Sequence, residues 1–129
     1  MKSSLYGSGS HLSVSAQAAD DLLYQTERTV VFRVARADGT GHLICKQPIG
    51  PKAATRLRHE RRILERLSGV KGVVQPCDKN SSAKLIAFDD GDFVSLAEAI
   101  QGKLPDIPAL LALVLQLADI IAAVHRAGV

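Results

Sequence analysis

An α+β fold is predicted for this 129-residue chain by three features of its sequence. Strand-like runs come first and the longest helix-like run comes last, with one helix between strands. The first good strands are joined by a tight-turn signal, not by helical crossovers. Strict strand–helix alternation, the mark of a doubly wound parallel sheet, is absent. Segregation of this kind favours an antiparallel sheet with helices to one side or end. The expectation is a sheet of about five strands with one packed helix, followed by further helices.

The elements follow in order. Residues 1–19 are rich in Ser, Gly and Ala without a sustained period and read as a flexible lead-in. Leu22–Thr26 can form a first short strand. Thr29–Ala37 is β-branched and aromatic, a good strand. Asp38-Gly39-Thr40-Gly41 supplies the backbone freedom of a hairpin turn, and His42–Gln47 returns as its partner. Pro48, Gly50 and Pro51 end that strand. Lys52–Ser68 reads as a helix, with Pro51 suited to its first turn and Gly69 to its C-terminal cap. Val73–Cys77 and Ala83–Asp89 read as two further strands. Ser95-Leu-Ala-Glu98 is a capping box that opens a short helix ending near Gly102. Asp106 and Pro108 then start a long apolar helix that runs to Gly128. The boundaries are a lead-in over 1–19, a strand-and-helix unit over 20–91, and helices over 92–129.

Composition narrows the function classes. Hydrophobic residues make up 47% and charged residues 22%, so a packed core is expected. A net charge of +3 with 4% aromatics is too little to argue nucleic-acid binding. The arginines of the first helix read as a solvated face interleaved with Glu65, in preference to a phosphate-contacting surface. His11, His42, His59 and His125 show no ligand spacing, so no metal site is expected. Cys45 and Cys77 form no metal or redox spacing; Cys45 reads as a buried free thiol, in keeping with a cytoplasmic protein. Lys2 is not followed by an apolar run, so no signal peptide is expected. Residues 107–124 form an 18-residue apolar run broken by Gln116 and Asp119, which reads as a helix buried among others and not as a membrane span.

One pair of charges stands out. Strand alternation puts Ile44 and Lys46 on one face and Leu43 and Cys45 on the other. Helical spacing puts Glu60 on the apolar stripe Leu57, Ile63, Leu64, Leu67. A carboxylate on such a stripe requires a cationic partner, and Lys46 is the nearest. A lysine and a glutamate joined between a strand and a helix suit phosphate binding in a cleft.

With those residues in place, the chain from about Asp20 to Val129 resembles the small lobe of a protein kinase. Leu43-Ile-Cys-Lys46 is similar to the Val-Ala-Ile-Lys strand, and residues 58–67 to the kinase C-helix with Glu60 as its ion-pair glutamate. Ala83–Gly91 resembles the last small-lobe strand and hinge. The resemblance implies Lys46 on the α- and β-phosphates of ATP, Glu60 orienting it, Val31 and Ile44 above the adenine, Phe88 as gatekeeper, and backbone groups of Asp89 and Asp90 receiving the base. Leu110–Val129 resembles the long helix that leads into the catalytic loop. The nearest likeness is to kinase-like domains that open large bacterial multi-domain signalling proteins, where an ATPase and a histidine kinase can follow.

Two departures shape the expected function. Tyr24, Thr26 and Thr29 occupy the positions of the glycine-rich loop, leaving only threonine hydroxyls as possible phosphate donors. Ile44 replaces a small alanine. The sequence also stops at Val129, where His-Arg-Asp would begin, so no residue is assigned as catalytic base and the ligands of Mg²⁺ are expected outside this chain. The chain alone is expected to be inactive in phosphoryl transfer. Its expected partners are ATP and the rest of a helical lobe or another protein. Without such a cover the last helix should expose an apolar patch and promote self-association. The competing expectation is a non-catalytic, pseudokinase-type module that docks a partner.

Overall fold

A computed structural model describes residues 21–91, 94–100, 103 and 105–129; the lead-in over 1–19 and the end of the short helix at Gly102 lie outside them. The elements are β1 (Asp21–Gln25), β2 (Thr29–Ala35), β3 (His42–Pro48), α1 (Ala53–Arg66), β4 (Ile86–Asp89), α2 (Leu96–Ala99) and α3 (Ile107–Arg126). The strands form one antiparallel sheet in the order β1-β2-β3-β4. The α+β class and the antiparallel pairing follow the sequence.

The sheet has four strands, not the expected five. In Val73–Cys77 only an isolated bridge forms, Pro76 opposite Phe88, together with the Cys77 amide donating to the Ala87 carbonyl at 2.7 Å. Proline has no N–H to continue a ladder. Gln75 turns the segment back toward α1: its Nε2 donates to the carbonyls of Leu67 and Val73, and its Oε1 accepts from the Gly69 amide.

The β2–β3 turn forms as expected. Gly39 and Gly41 take positive φ (72° and 124°), and the Asp38 carboxylate accepts from the Thr40 hydroxyl and amide. Those two bonds hold the Asp38 carboxyl below the usual range. α1 begins one residue later than predicted. Lys52 precedes it in a left-handed conformation (φ 59°), which costs about 1–2 kcal/mol for a residue with a Cβ. The Arg56 guanidinium secures this entry by donating to the carbonyls of Pro51, Arg28 and Ile49.

One face of the sheet carries the main core: Val30, Phe32, Leu43, Cys45, Leu85 and Ala87, flanked by Val34, Ile49 and Cys77. Burial pushes the Cys45 thiol up to about 11. The folded chain therefore holds this proton more tightly than the unfolded chain. The resulting stabilisation is complete below about pH 9.0 and is lost as pH rises toward 11. Denaturant midpoints should fall across that window, and Cys45→Ala should flatten the fall. Iodoacetamide at pH 8 should label Cys45 only after unfolding; rapid labelling of the folded chain would contradict this burial.

Candidate functional site

Cross-strand register assembles the site. Val31 lies opposite Lys46, Lys46 opposite Ile86, and Ile44 between Arg33 and Phe88. Directly opposed residues of an antiparallel sheet share a face. Val31, Ile44, Lys46 and Phe88 therefore share the face opposite the Phe32 core, and all four are half-buried.

The α1 helix contacts β3 and is anchored by buried Leu57 and Leu67. Glu60 lies one turn beyond Leu57, so anchoring the stripe carries its carboxylate to the sheet. Lys46 Nζ donates to Glu60 Oε1 at 2.6 Å. The two side chains are 37% and 27% exposed, so both remain within reach of a solvent-borne anion. At that exposure an ion pair contributes only about 0–1 kcal/mol to stability. Its chief effect is positional: one of three ammonium donors is fixed on Glu60, and the cation is aimed along the sheet face.

The two hinge candidates, Asp89 and Asp90, have partners of their own. The Asp90 amide donates to the His42 carbonyl at 3.1 Å, so that one of the backbone groups is engaged within the chain. The Asp90 carboxylate, only 8% exposed, accepts from Arg33 Nε at 2.6 Å, and Arg33 also reaches Asp21. Asp89 stays exposed and pairs with Arg36. The acidic pair ties β4 to β2 through arginine. Arg33 shares a strand face with Val31 by simple alternation, and that was the available signal for it.

The β1–β2 loop also differs from a phosphate cradle. The Thr26 hydroxyl accepts from the amides of Thr29 (3.1 Å) and Arg28 (3.3 Å), while the Thr26 amide donates to the Thr29 carbonyl. The loop's own donors thus close a tight turn on themselves.

The arginines of α1 are not a uniform solvated face. Arg61 donates to the carbonyls of Ser82 and Leu85, and Arg56 has the three carbonyl partners described above. A charge spaced four residues from Leu57 can reach the sheet, a signal the charge pattern alone conceals. A hollow of about 350 Å³ opens between Gln47–Gly50, Ala53, Ala54, Leu57 and the Ala83–Lys84 turn, and its lining includes neither Lys46 nor Glu60. Among the described residues no three His, Cys, Asp or Glu side chains converge to hold a metal ion.

Comparison with family models, with curated proteins and with solved structures gives no match for this chain.

Proposed function

We propose that the chain is the nucleotide-binding small lobe, with the first helices of the large lobe, of a protein serine/threonine kinase-like signalling protein, cytoplasmic and bacterial. The Lys46–Glu60 pair carries this reading, because it joins a strand lysine to a helix glutamate at 2.6 Å beside a half-buried apolar face. In this role the two remaining Lys46 donors bind the α- and β-phosphates of ATP. Glu60 holds the ammonium in place. Val31 and Ile44 offer the adenine an apolar roof, and Phe88 bounds it. Asp89 and Asp90 contribute through carbonyl groups, since the Asp90 amide is engaged. In this reading no residue is assigned as catalytic base, and the ligands of Mg²⁺ are supplied from outside the described residues.

The test is nucleotide-dependent thermal stabilisation. At ligand concentrations near 100 times Kd, binding adds about 2.7 kcal/mol of apparent stability, a rise in Tm of several degrees for a domain this small. The unsubstituted chain should show that rise with ATP, and Lys46→Ala should abolish it while changing the ligand-free Tm little. An unsubstituted chain with no response to ATP would favour the second reading, a non-catalytic module that docks a partner. The self-closed Thr26 turn is the observation on that side.

A further inference from the structure

We infer, on the nucleotide reading above, that Arg33 is a positioning residue for the base end of the site: through Asp90 it sets the chain after β4 against the sheet face and so determines which base is preferred. Arg33 is the only charged residue of β2. Alternation puts it on the face of Val31. Register aligns Asp21, Arg33, Ile44 and Phe88 in one row across all four strands. Ile86, Phe88 and Asp90 alternate onto the same face.

Strands β2 and β4 are two strand spacings apart, about 10 Å. The Arg33 side chain therefore lies across β3 for its Nε to donate to Asp90 Oδ2 at 2.6 Å. Along β3, Lys46 stands on one side of Ile44. The crossing, from the row of Ile44 toward the row of His42, stands on the other. The pair thus closes the end of the face remote from the ammonium. The base of a nucleotide whose phosphates meet Lys46 extends toward that end.

Two ties hold Asp90. Its amide donates to the His42 carbonyl, which fixes one point of the backbone. Its carboxylate is the most buried of those in the described ion pairs, and a charge-assisted bond to it is short and directional. Asp21 accepts from another arm of the guanidinium at 3.4 Å and limits its swing. A second fixed point stops the chain from turning about the first. Gly91 follows, and glycine loses the most freedom on being ordered. With the clamp in place, the carbonyl groups of Asp89 and Asp90 are ordered before the base arrives, and binding does not bear that cost. The Asp89 carboxylate pairs with Arg36 but stays largely exposed, so it holds the segment less firmly.

Titration calorimetry of the 129-residue chain with ATP and UTP is the test, because the two share ribose and triphosphate and differ in the base. The unsubstituted chain is expected to bind ATP about tenfold more tightly than UTP. Arg33→Met should weaken ATP about tenfold and UTP less than about twofold. Asp90→Ala removes the other half of the pair and should have the same selective effect; it carries the comparison should Arg33→Met fail to fold. The double variant should lose no more than either single one. Arg33→Lys keeps a cation within reach of Asp90 and should restore part of the preference. An unsubstituted chain that binds neither nucleotide would overturn the nucleotide reading and this role of Arg33 together. ATP bound by the unsubstituted chain no better than UTP, or equal losses for both nucleotides in the variants, or no loss, would overturn the role of Arg33 alone. Single-variant losses that add in the double variant would overturn it too, since Arg33 would then act on the ligand and not through Asp90.

Discussion

Phe32→Ala is expected to abolish the cooperative unfolding transition at room temperature or leave it barely measurable. Phe32 is fully buried at the centre of β2, opposite Cys45 on β3, and is the largest side chain of the core. Removing a buried phenyl ring costs about 3–5 kcal/mol, from lost transfer free energy and the cavity left behind. Domains of this size have only about 5–15 kcal/mol of stability in total. Both cysteines are free, so no disulfide offsets the loss. A Tm lowered by roughly 15–30 °C corresponds to that cost. Leu96→Ala is the matched control: it removes a similar hydrophobe from a site 49% exposed and outside α3, and should leave Tm within about 1–2 °C. Equal losses in the two variants would refute the placement of the core.

Gly72→Val is the second large effect, and it reports on how α3 is held. Gly72 has φ +87°, a conformation that costs a residue with a Cβ about 1–2 kcal/mol and a β-branched one more. The added carbon would also lie 2.5 Å from Ile120 Cγ1 and Cδ1. Real contacts do not approach so closely, so either Ile120 leaves its place or the loop moves. The expected result is an α3 released from the body while the β-sheet remains folded. Amide hydrogen exchange should show protection lost over residues 107–126 and kept over β2 and β3. Protection unchanged in α3 would mean that Gly72 is not its seat. The Arg66–Gly128 contact alone is exposed and too weak to retain the helix.

Much of the fold was legible along the chain because it is governed by local rules. The Asp38–Gly41 turn, the Ser95–Glu98 capping box and the Asp106 cap are short-range hydrogen-bond patterns, and each forms as read. The side of β3 that carries Lys46 follows from alternation, and the stripe that carries Glu60 follows from helical period. The two could meet because α1 packs against β3, which brings the helix stripe to the strand. The failures are of another kind. The fifth strand was lost to Pro76 and to the Gln75 side chain, which found partners eight and six residues back in the chain. The Asp90 carboxylate looked free until Arg33, 57 residues away, donated to it. Arg61 looked like a surface charge until Ser82 and Leu85 offered it carbonyls.

The sequence alone determined which residues could be strand, turn and helix, the antiparallel class of the sheet, and the two charges that should pair. Those depend on period, steric propensity and capping, which act over a few residues. Tertiary structure decided which arginines and aspartates are consumed inside the molecule, and that the Thr26 loop closes on itself. It also decided that α3 meets the rest of the chain near Val70–Gly72 while most of its apolar residues stay exposed. Such outcomes depend on which donors and acceptors meet across long stretches of chain, and no spacing rule carries that information.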